Sequence, residues 1–463
     1  MNVQLTFTRQ SLSLIPLALA MLLPSLGTSI TNVALPALET AFDASLGRVQ
    51  WVVIAYLLAV TTMIVGVGRL GDLFGRRKLL LAGIAVFTLA SAGAALAPSL
   101  SFLIAARAVQ GSGAATMMAL AIASVSDLVP KERTGSVMGL LGTVSAVGTA
   151  LGPSLGGALL ASGGWQSVFV ALVAAGLATY LISVRSLPRS PARHPLPVTF
   201  DLPGMLLLAA SLGAFALSTT VSNDQPGLLN AGLAALAVAG FAALTYVERR
   251  AASPLIDIER LMERRLGAGL ISLGLVSTIM MATLVVGPFY LTETLSLTPL
   301  QTGLVMSLGP AVAALAGLPA GRLVDRCGSS STMLTGLSMI TIGAALMTVL
   351  PGLFSTGGYA GSLIVITAGY ALFQAANNTA VMSDAPSGRK GVTSGLLGLA
   401  RNLGLITGAS AMGAVFAMGS HGIDLLGLPP GRATGLSLTF GVATLVAAIA
   451  GGISLRSIRP AKG

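Results

Sequence analysis

Two short basic strings, each lying between neighbouring apolar segments, combine residue types that suit a molecular latch. The first runs from Gly68 to Lys78 and reads GRLGDLFGRRK. A shorter copy, Gly321 to Gly328, returns 253 positions later. Glycines permit tight turns, and a carboxylate can pair with a neighbouring arginine or bind the positive N-terminus of a helix. We therefore predict a conformational latch formed by Gly68, Asp72, Gly75, Arg76, Arg77 and Asp325.

Two arginines lie inside apolar segments. An arginine at the centre of a membrane span costs roughly 2.5–3.5 kcal/mol on insertion scales, so it should face a polar cavity or a partner. Arg107 is followed one helical turn later by Gln110, on nearly the same face. Arg401 is the second such charge. We expect Arg107, Gln110 and Arg401 to serve coupling or to line a cavity, and the alternative is a buried arginine that only ties helices together.

A stripe of small residues marks the segment near position 150. It consists of Gly148, Gly152, Pro153, Gly156 and Gly157. Glycines four apart allow close helix packing, and a proline removes one backbone hydrogen bond and favours a kink. The stripe predicts a helix that bends at a bundle seam, and the alternative is ordinary small-residue packing.

Amide side chains within apolar segments are candidates for the path of a polar solute. They are Asn32, Gln374, Asn377 and Asn378. We expect them to face the bundle interior and contact substrate. Hydrogen bonding between helices without substrate contact is the alternative.

The elements that position these residues are membrane spans. Hydrophobic residues make up 54% of the 463 and charged residues 9%, whereas soluble domains carry about 25% charge. Segments of about 20 apolar residues predict transmembrane helices, and fourteen are counted. They are 12–36, 50–70, 79–98, 101–126, 135–161, 165–184, 202–222, 226–247, 266–290, 299–321, 331–350, 359–382, 392–416 and 433–455.

The repeated basic string divides these spans into two related halves. We expect an all-α polytopic membrane protein made of a six-helix bundle over 1–186, linkers and an inserted helix pair over 187–264, and a second six-helix bundle over 265–463. Duplicated helical halves are typical of secondary transporters, which bind near the seam and rock around it.

The placement of charge predicts the orientation. The net charge is +11, and 22 of the 26 Lys and Arg residues fall on one side of the predicted spans. Positive residues collect on the cytoplasmic side, so both termini should be cytoplasmic. The basicity then belongs to the anionic membrane surface, and no nucleic-acid partner is predicted.

No catalytic or cofactor motif is found. The chain has one cysteine, Cys327, and two histidines, so no metal site or internal disulfide is predicted. It lacks a nucleotide-binding P-loop and a nucleophile–base arrangement. The sequence predicts no cofactor and no enzymatic activity.

Taken together, these strings resemble the major facilitator superfamily, and within it the fourteen-span drug:proton antiporters. The first string is similar to that family's hinge motif, the Arg107 string to its span-4 motif, and the glycine stripe to its antiporter motif. Further similar strings are TNVALP from Thr31, QWVV from Gln50, PLQTG from Pro299 and RNLG from Arg401. Together they cover nearly the whole chain.

The resemblance implies a major facilitator fold and proton-driven export of small amphipathic molecules by alternating access. It implies that Asp72 helps to lock the outward-open state and that Arg107 takes part in coupling or substrate handling. It also implies that Gly152, Pro153 and Gly156 shape the seam that prevents a leak.

The chain departs from the family at one informative position. Members usually carry an aspartate in span 1, where this chain has Gly27. None of the 15 acids is predicted at a membrane midplane, and a buried unpaired cation is very unfavourable. We therefore expect neutral or anionic lipophilic substrates, with Asp127, Asp201 and Glu293 as the candidate proton carriers.

The sequence thus predicts a monomeric inner-membrane exporter whose partners are a small-molecule substrate, protons and membrane lipid. A dedicated exporter of one metabolite or antibiotic is the nearest alternative. A proton-coupled uptake carrier is less favoured, because importers of this superfamily generally lack the antiporter motif that the glycine stripe resembles.

Overall fold

The computed structural model of the protein describes residues 2–128, 131–188, 202–221, 227–250, 263–383, 390–421 and 429–458, and contains no strand in those ranges. An all-helical architecture suits a lipid environment, because helices satisfy their backbone polar groups internally. The side chains of Asp72 and Asp127 lie outside what is described, as do residues 189–201, which include Asp201, and residues 251–262, so that most of both predicted linkers is not covered.

The helices of the described residues fall into two halves and a pair between them. In the first half they are α1 (Asn2–Phe42), α2 (Leu46–Val49), α3 (Trp51–Phe74), α4 (Arg76–Ala95), α5 (Leu100–Leu128) and α6 (Lys131–Ser186). Then come α7 (Leu202–Thr220) and α8 (Leu228–Glu248). The second half contains α9 (Arg264–Phe289), α10 (Pro299–Cys327), α11 (Ser329–Ser383), α12 (Lys390–Thr407), α13 (Gly413–His421) and α14 (Arg432–Ile458). A π-helical turn, Tyr290–Thr294, extends α9, and another, Gly408–Met412, joins α12 to α13.

Twelve helical segments in the described part of the chain are long and apolar enough to cross a membrane. The expected number of fourteen differs from this count because two of the segments are unusually long. They are Leu140–Ser186 in α6, of 47 residues, and Ser329–Ser383 in α11, of 55 residues. Both contain non-helical residues, at Gly163 and Gly164 and at Phe354 and Ser355.

The two parts of α6 run in opposite directions. Before the kink, Gly148 packs on Leu22 and Gly156 packs on Ile30, so this part runs parallel to α1. After the kink, Gly176 packs on Thr88. Further along, Arg77 Nη2 donates a hydrogen bond to the Val184 carbonyl at 2.9 Å. The second part of α6 is therefore antiparallel to α4.

The long helix α11 reverses in the same way. Gly336 before its kink packs on Gly369 and Phe373 after it, and Gly343 packs on Ile366. The two parts therefore form an antiparallel hairpin around Phe354 and Ser355. Ser355 adopts φ of 47°, a left-handed conformation that a sharp reversal requires.

The two halves repeat the same local contacts. Gly75 between α3 and α4 has φ of 88°, and Gly328 between α10 and α11 has φ of 82°. Only glycine adopts this region without strain, so both copies of the basic string contain the same hinge. Gly83 packs on Gly113 in the first half in the way that Gly336 packs on Gly369 in the second.

The pair α7 and α8 packs at the side of the halves. Helix α7 lies against α3, where Trp51 Nε1 donates a hydrogen bond to Thr220 Oγ1 at 2.9 Å. Helix α8 packs on α7, and only 11% of the residues in its most apolar stretch are buried. Such an apolar, exposed helix is suited to contact with lipid.

Candidate functional site

A cavity of about 500 Å³ lies between the two halves. The first half contributes residues of α1, α5 and α6 to its wall, including Met21, Met118 and Ser145, and the second half contributes residues of α9, α10, α11 and α12. Its volume falls within the roughly 300–1,000 Å³ of sites for drug-sized ligands.

The cavity wall is apolar with a few polar groups. Four methionines line it, Met21, Met118, Met280 and Met306. Flexible thioethers adapt to ligands of different shape. The polar side chains in the wall are Ser145, Thr149, Thr283, Tyr359, Thr367, Tyr370, Gln374, Asn378 and Arg401.

No acidic residue lines the cavity among the described residues, and Arg401 is its one charged lining residue. Arg401 is exposed. This arrangement suits neutral or anionic ligands, because a cation would lose hydration without gaining a carboxylate.

The predicted residues Gln374 and Asn378 line the cavity, whereas Asn32 and Asn377 do not. Asn32 is fully buried and Asn377 is 1% exposed. The amide atoms of both have no hydrogen-bond partner within the described part of the chain. Asn377 packs against Gly269 of α9, where a β-carbon would lie 3.0 Å from its Oδ1.

Arg107 is fully buried among α1, α3 and α5 and is not among the residues that line the cavity. Its Nε donates to the Val52 carbonyl at 2.9 Å and its Nη1 to the Gly27 carbonyl at 3.3 Å. The guanidinium also lies 4.2 Å from the centre of the Tyr56 ring. In this conformation Arg107 ties three helices together, which is the alternative that its sequence context allowed.

Gln110 extends this network. Its Oε1 accepts from Arg107 Nη1, and its Nε2 donates to Ser91 Oγ at 2.6 Å. The Arg107 Nη2 atom has no partner in the described ranges. Because residue 27 is a glycine, it contacts the Arg107 guanidinium through its backbone carbonyl and has no side chain that could accept a hydrogen bond.

The glycine stripe of α6 contacts two helices on different faces. Toward α1, a β-carbon at Gly148 would lie 2.6 Å from the Leu22 carbonyl, and one at Gly156 would lie 2.9 Å from the Ile30 carbonyl. Gly152 packs on the side chain of Ser29 and on the backbone nitrogen of Ile30. Backbone atoms this close leave no room for a larger residue.

On its other face the stripe meets the second half of the protein. A β-carbon at Gly157 would collide with the Pro299 carbonyl of α10. Reciprocally, one at Gly303 would collide with the Pro153 carbonyl. The predicted seam residues Pro153 and Gly157 therefore form a backbone-to-backbone contact between the halves.

A second seam contact lies at the corresponding place in the repeat. Gly413 of α13 packs on the side-chain amide of Gln50, which precedes α3. Gln50 is 1% exposed, and its amide atoms have no hydrogen-bond partner in the described structure. The two halves thus meet at Gly157–Gly303 and at Gln50–Gly413.

A cluster of charged residues also links the halves on the face where these seams lie. Arg432, which begins α14, has Nε 2.7 Å from Glu293 Oε2 and Nη2 3.4 Å from Glu39 Oε1. Glu39 belongs to α1 of the first half, so the Arg432–Glu39 pair crosses the interface. Arg432 also lies 5.6 Å from the ring centres of Phe289 and Phe416.

The latch arginines bind helix ends within the first half. Arg76 donates to the Ala123 carbonyl of α5. Arg77 Nε donates to the Leu187 carbonyl at 3.0 Å, just beyond α6. Cations at helix C-termini satisfy carbonyls that have no partner in the helix. Asp325 is exposed near the end of α10.

Sequence reasoning missed several residues of the site. Thr283, Tyr359, Thr367 and Tyr370 line the cavity, but threonine and tyrosine are common in membrane helices and carry no separate signal. The Glu39–Arg432 pair joins positions 393 apart. The one available signal was that both residues lie at span ends on the predicted outer side.

The sequence model of the Major Facilitator Superfamily matches residues 17–409 of the chain. The chain is 30% identical over 413 residues to the multidrug resistance protein Stp of Mycobacterium tuberculosis (strain CDC 1551 / Oshkosh), covering 88% of this chain and 76% of Stp. It is 29% identical over 405 residues to the riboflavin transporter RibZ of Clostridioides difficile (strain 630), covering 87% of this chain and 88% of RibZ.

Among solved structures, the chain is similar to a bacterial homologue of the human lysosomal transporter Spinster. The TM-score is 0.71 over 97% of both chains, with 18% sequence identity. At this identity the likeness establishes a shared fold.

Proposed function

Since the chain belongs to the Major Facilitator Superfamily, we propose that it exports small lipophilic compounds from the cytoplasm in exchange for protons. It is a multi-pass membrane transporter rather than an enzyme. Neutral and anionic compounds are the favoured substrates. The observation that carries the proposal is the cavity between the halves, which holds Arg401 and no described acid.

Alternating access requires that one side of the cavity closes while the other opens. Three contacts between the halves lie on the face opposite the chain ends: Gly157–Gly303, Gln50–Gly413 and Arg432–Glu39. These features support a cycle in which substrate enters from the side of the termini and leaves where the three contacts now close the halves.

We propose that the chain crosses the membrane fourteen times. If straight, helices of 47 and 55 residues would be about 70 and 80 Å long, against a hydrocarbon core of about 30 Å. The reversals at Gly163–Gly164 and at Phe354–Ser355 support two crossings in each. Both termini are then on one side, and the distribution of arginine and lysine favours the cytoplasm.

Proton coupling is proposed from the family resemblance and from the absence of another energy source in the sequence. Of the candidate proton carriers, Glu293 takes part in the charged cluster with Arg432. Asp127 and Asp201 stay candidates. Arg107 supports coupling through its contacts, because it joins α1, α3 and α5, which must move together as one bundle.

The test of this function is a susceptibility and efflux panel in a pump-deficient strain, with and without the chain, at two external pH values. We expect the chain to lower accumulation of neutral and anionic lipophilic drugs and to do so more strongly at the lower external pH. Ethidium, a permanent cation, should be extruded weakly or not at all. Strong ethidium extrusion that collapses with an uncoupler would contradict the substrate assignment.

A dedicated transporter of one metabolite is the second candidate. RibZ carries the name of a riboflavin transporter, and Gln374, Asn378 and Arg401 give this cavity polar groups suited to one particular ligand. The same panel separates the two candidates, because a dedicated transporter would change the accumulation of one compound only. Uptake instead of export would appear as increased accumulation.

A further inference from the structure

The polar part of the cavity is concentrated on one face of α11. The lining residues of this helix after Tyr359 are Leu363, Thr367, Tyr370, Ala371, Gln374, Ala375 and Asn378. Residues three and four apart share one helix face. Thr367, Tyr370, Gln374 and Asn378 therefore form a continuous polar edge, about 16 Å long at 1.5 Å per residue.

The innermost group of this polar edge is a hydroxyl without a partner. Thr367 is 1% exposed, and its Oγ1 has no hydrogen-bond partner in the described part of the chain. Thr341 and Thr379 of the same helix instead donate to the carbonyl four residues earlier, both at 2.8 Å. A buried polar group without a partner is unfavourable, so a group that accepts this hydrogen bond is expected.

A glycine of the neighbouring helix packs beside this hydroxyl. Gly309 of α10 also lines the cavity, and a β-carbon there would lie 3.2 Å from Thr367 Oγ1. A side chain at position 309 would therefore crowd the hydroxyl. The oxygen is itself buried in this conformation, so a ligand atom reaches it when the Thr367 side chain turns toward the cavity that this residue lines.

The other walls of the cavity are mostly apolar. Met21, Met118, Met280 and Met306 contribute thioethers, and Pro310 and Ala313 of α10 add hydrocarbon surface. Arg401 of α12 also lines the site, and its neighbour Ala400 contacts Gly274 of α9, which lies further along that helix than Gly269, the contact of Asn377. A ligand would therefore meet hydrogen-bonding groups along one edge and apolar surface on the other sides.

We infer that the substrates are flat or elongated molecules, neutral or singly anionic, that carry hydrogen-bond acceptors along one edge and are otherwise apolar. This inference rests on the proposed transport function. Thr367 donates to the innermost acceptor, Gln374 and Asn378 pair with groups further out, and Arg401 binds an anionic end. Thr367 and Gly309 together determine specificity for an acceptor at the inner end.

Three probes built on one tricyclic ring test this assignment. Acridone is neutral with a carbonyl acceptor on one edge, acridone-10-acetate adds one carboxylate, and 10-methylacridinium is a permanent cation without an acceptor. Binding of each fluorescent probe to the purified protein in lipid nanodiscs is measured by anisotropy. We expect the acridones to bind at least about tenfold more tightly than the cation, a difference of about 1.4 kcal/mol.

Single substitutions assign the contacts. Thr367→Val should weaken binding of both acridones about 2- to 10-fold, as expected for one lost neutral hydrogen bond. Gly309→Ala should have the same effect, because its β-carbon would crowd the hydroxyl. Thr367→Ser keeps the hydroxyl and should retain binding. Arg401→Gln should weaken acridone-10-acetate but not acridone. Thr379→Val is the matched control, because Thr379 is exposed and does not line the cavity.

The inference is wrong if the cation binds as tightly as the acridones, if no acridone binds, or if Thr367→Val changes nothing. Proton-driven transport of the same probes in liposomes is measured separately. Selective binding without proton-driven movement would contradict the proposed function and leave the binding assignment standing. Proton-driven movement of the cation alone would support a proton antiporter and refute the polar edge.

Discussion

At the scale of single residues, Arg107 shows how a charge is held within an apolar protein. The guanidinium binds the carbonyls of Val52 and Gly27 and the side chain of Gln110, and it packs on Tyr56. Several partial charges thus replace a carboxylate. The sequence predicted that Arg107 needs a cavity or partners, but only the fold shows that it binds carbonyls of α1 and α3.

Replacing Arg107 with Ala should reduce transport at least about tenfold and lower the melting temperature. The substitution leaves two buried carbonyls and Gln110 without their donor, at about 1–3 kcal/mol for each unpaired group. Uptake of acridone-10-acetate into everted vesicles, which corresponds to export from the cell, measures the first effect. Thermal unfolding measures the second. Arg107→Lys keeps the charge but not the planar group of donors, and should be intermediate.

Full transport activity in the Arg107→Ala variant would contradict any role in coupling. Full activity together with a lowered melting temperature would leave Arg107 as a residue that only joins helices.

At the scale of helices, close contacts at glycine determine how the halves meet. Gly148, Gly152 and Gly156 fix α6 on α1, while Gly157 with Gly303 brings α6 against α10. The first three lie within one half and the last pair lies between halves. The same short stripe therefore contacts both a helix of its own bundle and a helix of the other half, and we propose that the second contact is a seam along which the bundles move.

Replacing Gly157 with Ala should separate the halves at this seam. The added methyl group would overlap the Pro299 carbonyl, and overpacking of this kind costs typically 1–3 kcal/mol. Because the cost falls on the closed seam, export should drop and the outer side should become more accessible. Gly441→Ala in α14 is the control, because nothing lies within 4 Å of that position.

Labelling of Ala44→Cys in a Cys327→Ser background reports this opening, because Ala44 is buried beside the charged cluster. If Gly157→Ala leaves both labelling and export unchanged, the close contact between α6 and α10 has no part in the transport cycle.

Replacing Arg432 with Gln should also weaken the contact between the halves on this face, but less than Gly157→Ala does. Arg432 pairs with Glu39 across the halves at 3.4 Å and with Glu293 at 2.7 Å. Partly exposed ion pairs contribute about 0.2–1 kcal/mol each. We expect labelling of Ala44→Cys to rise about 2- to 5-fold. Arg48→Gln removes an exposed charge nearby and should not change the labelling of Ala44→Cys. Equal labelling in the Arg432→Gln and Arg48→Gln variants would show that the charged cluster does not hold the halves together.

Local features could be predicted from the sequence and distant pairings could not. The hinge glycines Gly75 and Gly328 were recognisable because each copy lies in its own short string, and both have positive φ. The Arg432–Glu39 pair and the Thr367 hydroxyl beside Gly309 depend on which helices become neighbours. Helix packing in lipid follows from shape and small residues, which a single sequence specifies weakly.

At the scale of the whole molecule, two similar halves enclose one cavity whose chemistry is not symmetrical. Most polar lining residues come from the second half, and the first half contributes Ser145 and Thr149. The hinges and glycine contacts repeat in both halves. We propose that the duplicated features serve movement and that the features found in one half only serve recognition.

The fourteen-crossing arrangement predicts which loops face the outside. In intact cells, a membrane-impermeant maleimide should label Ser162→Cys and Ser355→Cys, which are exposed beside the two reversals. The native Cys327 ends α10 and, in this arrangement, lies on the other side of the membrane from the two reversals. It should be labelled only after the membrane is permeabilised. Labelling of Cys327 in intact cells, or protection of the two reversal sites, would invert or refute this topology.

Proton movement should drive non-cationic substrates through a cavity that has no acid among its described lining residues. This expectation is tested most directly in liposomes with an acidic lumen, by following acridone-10-acetate and lumenal pH together. We predict uptake of the probe with alkalinisation of the lumen, both abolished by an uncoupler. Passive distribution would exclude a weak acid from an acidic lumen, so such uptake requires transport. No uptake, or faster uptake of 10-methylacridinium than of acridone-10-acetate, would contradict the account.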